Sequence, residues 1–228
     1  ENYKNILLEL KKDFIFKHFD DYSEKSAVYL RHDVDIFPEN IPPITEVEIQ
    51  CGIQSTFFVL TDSEFYNILS ARIIKILNQS ADKGFVIGLH IDASNLQSLD
   101  QLTNDIVKRY EFLSNYIPLK RIFSFHRPID RLLNNIIIPG FINVYEDRFF
   151  RDIRYYSDSN RRSFYESLKR DVESDGMTSI QLLTHPYWWD IEHLDIQSLA
   201  DRLGMFHCQR LRSELKDNTK VYRQYFDR

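Results

Sequence analysis

The sequence predicts an α/β protein built on a mostly parallel sheet, and three observations carry that prediction. Short apolar runs alternate with segments of helical periodicity, the runs are apolar throughout rather than at every second residue, and each ends abruptly in charged or imidazole side chains. Alternating strands and helices imply parallel neighbours joined by crossover helices. Continuous apolar strands imply a sheet covered on both faces, as in a barrel or a doubly wound fold.

Taken in order, Ile6, Leu7, Leu10 and Phe14 share one helical face, so the chain opens with an amphipathic helix. Ala27-Val28-Tyr29-Leu30 is the first apolar strand, and it ends in Arg31-His32-Asp33-Val34-Asp35. Ser55 to Leu60 forms a second strand, ending at Thr61-Asp62. Ile73, Ile74 and Leu77 mark a helix before Gly84, after which Phe85 to Leu89 delivers His90. Ser98 and Gln101 form a capping-box signal for a helix carrying Leu99, Leu102, Ile106, Tyr110 and Leu113. Ile122 to Phe125 ends at His126-Arg127, and Ile180 to Leu183 ends at Thr184-His185. Phe164, Leu168 and Val172 mark a helix between these strands, and Ile196, Leu199 and Leu203 a last one. With no internal repeat and no linker, residues 1–228 read as a single domain.

Composition narrows the functional class. The 228 residues are 43% hydrophobic and 28% charged with a formal charge of −5, enough apolar content for a core without staples. Lys and Arg are dispersed among Asp and Glu rather than clustered, which argues against a nucleic-acid partner. No apolar run approaches the roughly 18 residues of a membrane span. Cys51 and Cys208 lie far apart and match neither a disulfide framework nor zinc-finger spacing, so a reducing, cytoplasmic location is expected, with Cys51 a small buried hydrophobe.

The strand ends are the functional signal. In parallel α/β sheets, residues at the carboxyl ends of the strands converge on one rim, where active sites are built. Asp33, Asp35, His90, His126, Arg127 and His185 all arrive at that rim from different strands. A lone Asp after a strand is ordinarily a turn or cap residue, and a lone His ordinarily structural. Asp33 and Asp35 are different, because residues two apart on a strand share a face and repel unless a cation or an arginine sits between them. Carboxylates and imidazoles without thiolate suit Zn²⁺ or a comparable divalent ion. His18, His193 and His207 lie in helical or surface contexts and are read as structural. Trp188-Trp189 reads as core packing or as an aromatic wall beside His185 and Pro186.

These residues resemble the polysaccharide deacetylases of the NodB-homology type, carbohydrate esterase family four, from about Ala27 to Trp189. The resemblance implies a distorted (β/α) barrel of about seven parallel strands. Leu30-Arg31-His32-Asp33-Val34-Asp35 looks like the first motif, which implies that Asp33 is the general base and Asp35 a metal ligand. Gly52 to Val59 is similar to the second-strand signature, and Gly88-Leu89-His90 resembles the second motif, whose His binds metal. Phe125-His126-Arg127-Pro128 resembles the third, so Arg127 inherits the role of orienting the base. Tyr156-Ser157-Asp158-Ser159 stands in for the fourth, where an Asp tunes neighbouring charges, and Leu183-Thr184-His185-Pro186 looks like the fifth, whose His is the general acid. The Arg-His-Asp opening and the His-Pro-Tyr-Trp-Trp ending are similar to a divergent branch associated with surface-glycan or amino-sugar biosynthesis.

One position departs from the pattern. The second motif normally supplies another His four residues after the first, and here that position is Ser94. His126 is the first candidate for the third metal ligand, with Asp92, Asn95 or water as alternatives. The implied reaction is hydrolysis of an N-acetyl or related N-acyl group from a free, nucleotide-linked or lipid-linked amino sugar, with Zn²⁺ as the expected cofactor. Tyr66, Trp188 and Trp189 are candidates to stack on the sugar. Two other readings stand beside it: another metal-dependent amidohydrolase such as an N-deformylase, and a catalytically degenerate glycan-binding barrel.

Overall fold

The structure is a computed structural model that describes residues 2–23, 26–94, 98–127, 136–159, 164–173, 179–189 and 195–226. Its elements run α1 (Tyr3–Leu10), β1 (Ile15–Phe16), β2 (Ala27–Val34), α2 (Ile41–Cys51), β3 (Thr56–Leu60), α3 (Ala71–Asp82), β4 (Val86–Asp92), α4 (Leu99–Leu113), β5 (Leu119–His126), β6 (Ile142–Asn143), α5 (Asp147–Phe150), β7 (Arg154–Ser157), α6 (Tyr165–Glu173), β8 (Ser179–Thr184), α7 (Ile196–Asn218) and α8 (Lys220–Phe226). The chain comprises two compact units, Glu1–Trp189 and Asp190–Arg228. Among the described residues, the first holds the eight strands and the second holds α7 and α8. No helix among the described residues is long and apolar enough to cross a membrane.

Seven parallel strands follow the order β6-β5-β4-β3-β2-β8-β7, with the short β1 added beside β2. The sheet curls into a half-barrel flanked by helices, as the continuous apolar strands predict. No ladder joins β6 to β7 among the described residues. Helix α4 starts where the capping signal places it, with the Ser98 hydroxyl accepting the Gln101 N–H at 3.2 Å. Helix α2 carries Pro42 and Pro43 in its first turn, where the missing N–H groups have no intrahelical partner to lose. It ends at Gly52 (φ 65°), a left-handed position that other residues adopt only with strain.

Strand β2 organises the interior because its side chains alternate. Tyr29, Arg31 and Asp33 face the barrel, whereas His32 points outward under the helices. The barrel floor is aromatic: Phe19, Tyr29 and Phe149 are buried with ring centroids 5.0 to 5.5 Å apart. On the outer side His32 Nε2 lies 2.6 Å from Glu48 Oε1, its Nδ1 lies 2.7 Å from the Thr184 hydroxyl, and the Tyr3 hydroxyl donates to Glu48 at 2.7 Å. That cluster ties α1 and α2 to β2. Across the sheet, Gly88 of β4 accommodates Phe58 and the Ile122 carbonyl, which lie 2.7 and 2.9 Å from where a Cβ would stand.

Candidate active site

The carboxyl ends of β2, β4, β5 and β8 bring Asp33, Asp35, His90, His126 and His185 together. Asp35 Oδ1 lies 3.1 Å from His90 Nε2 and 3.2 Å from His126 Nδ1. The ligand atoms of these three residues fall within 4.8 Å of one another, so they could hold a metal ion. Two ligands at about 2.0–2.1 Å from a tetrahedral centre are about 3.3 Å apart. The spacing therefore fits a small divalent ion, as does a donor set of one carboxylate and two imidazoles. Burial alone would raise the Asp35 pKa, but the close His126 and His90 imidazoles outweigh it and hold the carboxyl well below the usual range. The same contact with Asp35 raises the His126 pKa against the effect of its partial burial.

His126 reaches the cluster because β5 pairs in parallel with β4, setting Asp92 opposite His126. Asp92 itself turns away, its Oδ1 accepting the Ser94 N–H at 2.9 Å, and Ser94 takes no part in the ligand group. Asn95, the remaining alternative, lies outside the described residues, as do Pro128 and His193.

Asp33 sits beside this group, 3% exposed, with Oδ2 at 3.7 Å from His90 Nε2. Its other oxygen, Oδ1, is buried and accepts no hydrogen bond from the described residues. The guanidinium beside Asp33 is that of Arg31, not of Arg127. Arg31 Nη2 lies 3.3 Å from Asp33 Oδ2 and donates to the Tyr145 hydroxyl at 2.9 Å, with the Tyr145 ring 4.9 Å away. Burial opposes the Arg31 charge, but Asp33 and Tyr145 outweigh it and push the pKa up. The side chain of Arg127 is 72% exposed, and its nearest carboxylate is Asp92 at 3.9 Å. The orienting contact expected of Arg127 is thus made by Arg31, which stands at the charged end of the strand and to which the sequence reading gives no role.

His185 approaches from β8 on the opposite side, with Nε2 3.6 Å from Asp35 Oδ2. Asp158 receives three donors: His185 Nδ1 at 2.6 Å, the His185 backbone N–H at 2.9 Å and Trp189 Nε1 at 2.7 Å. Burial would lower the His185 pKa, and the Asp158 hydrogen bond and charge more than compensate, so it is raised. Because Nδ1 is engaged by Asp158, Nε2 is the nitrogen that faces the cluster.

The aromatic candidates divide. Tyr66 is buried, its hydroxyl held between the carbonyls of Val34 (2.8 Å) and Leu60 (2.9 Å), so it braces the rim from within. Trp189 is committed to Asp158 through its N–H and to Tyr3 through its ring, at 5.4 Å. Trp188 is half-buried and packs on Tyr187 at 4.3 Å. Tyr187, which the sequence does not single out, lies 5.6 Å ring to ring from His185. Burial first, and then Asp35, Asp158 and Asp33, push its hydroxyl pKa up, keeping it a donor at the edge of the site.

No protein-family model matches the sequence, and a search of curated proteins finds no match. Among solved structures the chain is similar to the chitin deacetylase of the fungal pathogen Colletotrichum lindemuthianum, with 16% identity, coverage of 80% of this chain and 83% of that one, and a TM-score of 0.50. It is also similar to a family 4 carbohydrate esterase from Bacillus anthracis (16% identity, 92% and 87% coverage, TM-score 0.47). A third is a family 4 pseudoenzyme from the same organism (17% identity, 82% and 67% coverage, TM-score 0.47). The molecule has the NodB-like fold found in polysaccharide deacetylases.

Proposed function

We propose that the protein is a metal-dependent hydrolase that removes an N-acetyl or related N-acyl group from an amino sugar, free or linked to a nucleotide or lipid carrier, in surface-glycan synthesis. One observation carries the reading. A buried carboxylate oxygen, Asp33 Oδ1, which has no hydrogen-bond partner among the described residues, stands beside a three-residue ligand group, with an imidazole of raised pKa across from it.

Asp35, His90 and His126 would hold the ion, with zinc the expected choice for this donor set. Once bound, the ion would supply Lewis-acid polarisation of an acyl oxygen and make a neighbouring water more acidic. Asp33 Oδ1 accepts the proton of the attacking water, and Arg31 holds the carboxylate in place through Oδ2. His185 carries its transferable proton on Nε2 and delivers it to the departing amine, while Asp158 keeps Nδ1 occupied. Tyr187 and Trp188 border the site on the His185 side and offer an aromatic surface for a sugar ring.

The serine at position 94 motivates a binding-only reading. His126 supports the hydrolase instead, because it supplies a third ligand atom without that position. The test is elemental analysis of the wild-type protein and the Asp35→Ala variant, followed by acetate release from a panel of N-acetylated amino sugars. Near-stoichiometric metal that is lost in the variant, with acetate release from one of the sugars, is the expected result. Wild-type protein that takes up no divalent ion on titration overturns the proposal.

A further inference from the structure

His90 and Ser124 are directly paired residues of the parallel β4 to β5 ladder, so their side chains leave the sheet on the same face. His90 Nδ1 lies 2.7 Å from the Ser124 hydroxyl, and both residues are buried, at 1% and 0% exposure. With Nδ1 engaged there, Nε2 is the nitrogen left toward Asp35. His126, two residues beyond Ser124 on the same strand, presents its Nδ1 to Asp35 instead. Among the described residues its second nitrogen has no matching hydrogen bond, and its side chain is 21% exposed. The two imidazoles are therefore held unequally.

We propose that Ser124 is a positioning residue that fixes the His90 ring with Nε2 toward Asp35, making His90 the anchored imidazole of the site and His126 the adjustable one. Its consequence for metal binding rests on the hydrolase reading above, but the ring contact stands without it. An imidazole tethered at one nitrogen cannot turn over about its Cβ–Cγ bond. Once the tether is lost, a half-turn exchanges Nε2 for a carbon that has no lone pair to offer. A hydroxyl suits this place for a specific reason. It accepts from Nδ1–H when Nε2 carries the lone pair and donates to Nδ1 when Nε2 carries the proton, whereas a carbonyl or carboxylate serves only the first state. Ser124 thus keeps hold of the ring both with and without a cation.

The variant is Ser124→Ala, which removes one oxygen from a buried position. In metal-free protein labelled with ¹⁵N-histidine, long-range ¹H–¹⁵N spectra should show His90 with one fixed ring environment in wild type and an averaged one in the variant. Zinc affinity measured by competition with a chromophoric chelator should fall about 10- to 100-fold, the usual cost of losing a hydrogen bond behind a metal ligand, while Ser124→Thr retains much of it. Unchanged His90 signals together with unchanged zinc affinity in Ser124→Ala overturn the proposal. Wild-type protein that takes no zinc, with a His90 ring that is nonetheless released in the variant, overturns the metal reading and supports the positioning role.

Discussion

Arg31 and Asp33 leave the same strand on the same face, and the guanidinium of one lies 3.3 Å from the carboxylate of the other with both side chains sealed from water. The charge beside the candidate base thus comes from within the same five residues as the base. Replacing Asp33 with Asn should leave the metal content unchanged and lower kcat by about 10² to 10⁴, the usual span for losing a general base. An unaffected rate in the metal-loaded variant would remove Asp33 from that role.

Removing the arginine has a different signature. Arg31→Met leaves a buried carboxylate without its counter-charge, and breaking a buried pair from one side costs about 3–5 kcal/mol. A urea midpoint within error of wild type would mean that Tyr145 and bound water hold Asp33 unaided. Arg127→Gln, with its exposed guanidinium, is expected to leave stability unchanged.

His126 can be tested by affinity alone. His126→Ala should weaken zinc binding strongly, since it leaves Asp35 and His90 as the only pair of the group, whereas Ser94→Ala should leave binding as it is. Chelator competition measures both. Equal affinities in the two variants would return His126 to a structural role.

The pH dependence follows from Asp158. His185 has a raised pKa because Asp158 favours its charged form, so the proton it donates persists to higher pH than an unperturbed imidazole would allow. The alkaline limb of kcat, where that proton is lost, should therefore move to lower pH in Asp158→Asn. A limb that stays in place would show that a different group supplies the proton.

Gly88→Ala should destabilise the protein by about 1–3 kcal/mol, the cost of overpacking a core position, because the added methyl meets Phe58 and a backbone carbonyl that cannot retreat. Thermal denaturation reads it directly.

Much of the rim was legible because the strands announce themselves by composition and then stop at residues that are costly to bury. Asp33, Asp35, His90, His126 and His185 each follow such a run, and parallel pairing makes their convergence a matter of topology. Arg31 was not assigned, because β2 continues to Val34 through charged residues that reading hydrophobicity treats as the end of the strand. What keeps it going is pairing on both sides, with β3 and β8, which no local pattern reveals. Helix α2 escaped for a similar reason: Pro42-Pro43 reads as a break unless the helix is known to start there. Ser124 and Tyr145 carry no signal of their own: register across β4 and β5 gives Ser124 its partner, and the turn after β6 carries Tyr145 to Arg31.

The alternation along β2 also has a consequence for how the chain finds its fold. Arg31 and Asp33 pair with each other on one face, while His32 is met by Glu48, Thr184 and Tyr3 on the other. Sliding β2 by one residue against β3 or β8 would exchange the two sets, sending a guanidinium and a carboxylate under the helices and an imidazole into the barrel. Each misplaced group would then be buried with nothing to answer it, so both faces penalise the same error. An apolar strand would leave that choice of alignment to packing alone, whereas this one carries a two-sided key.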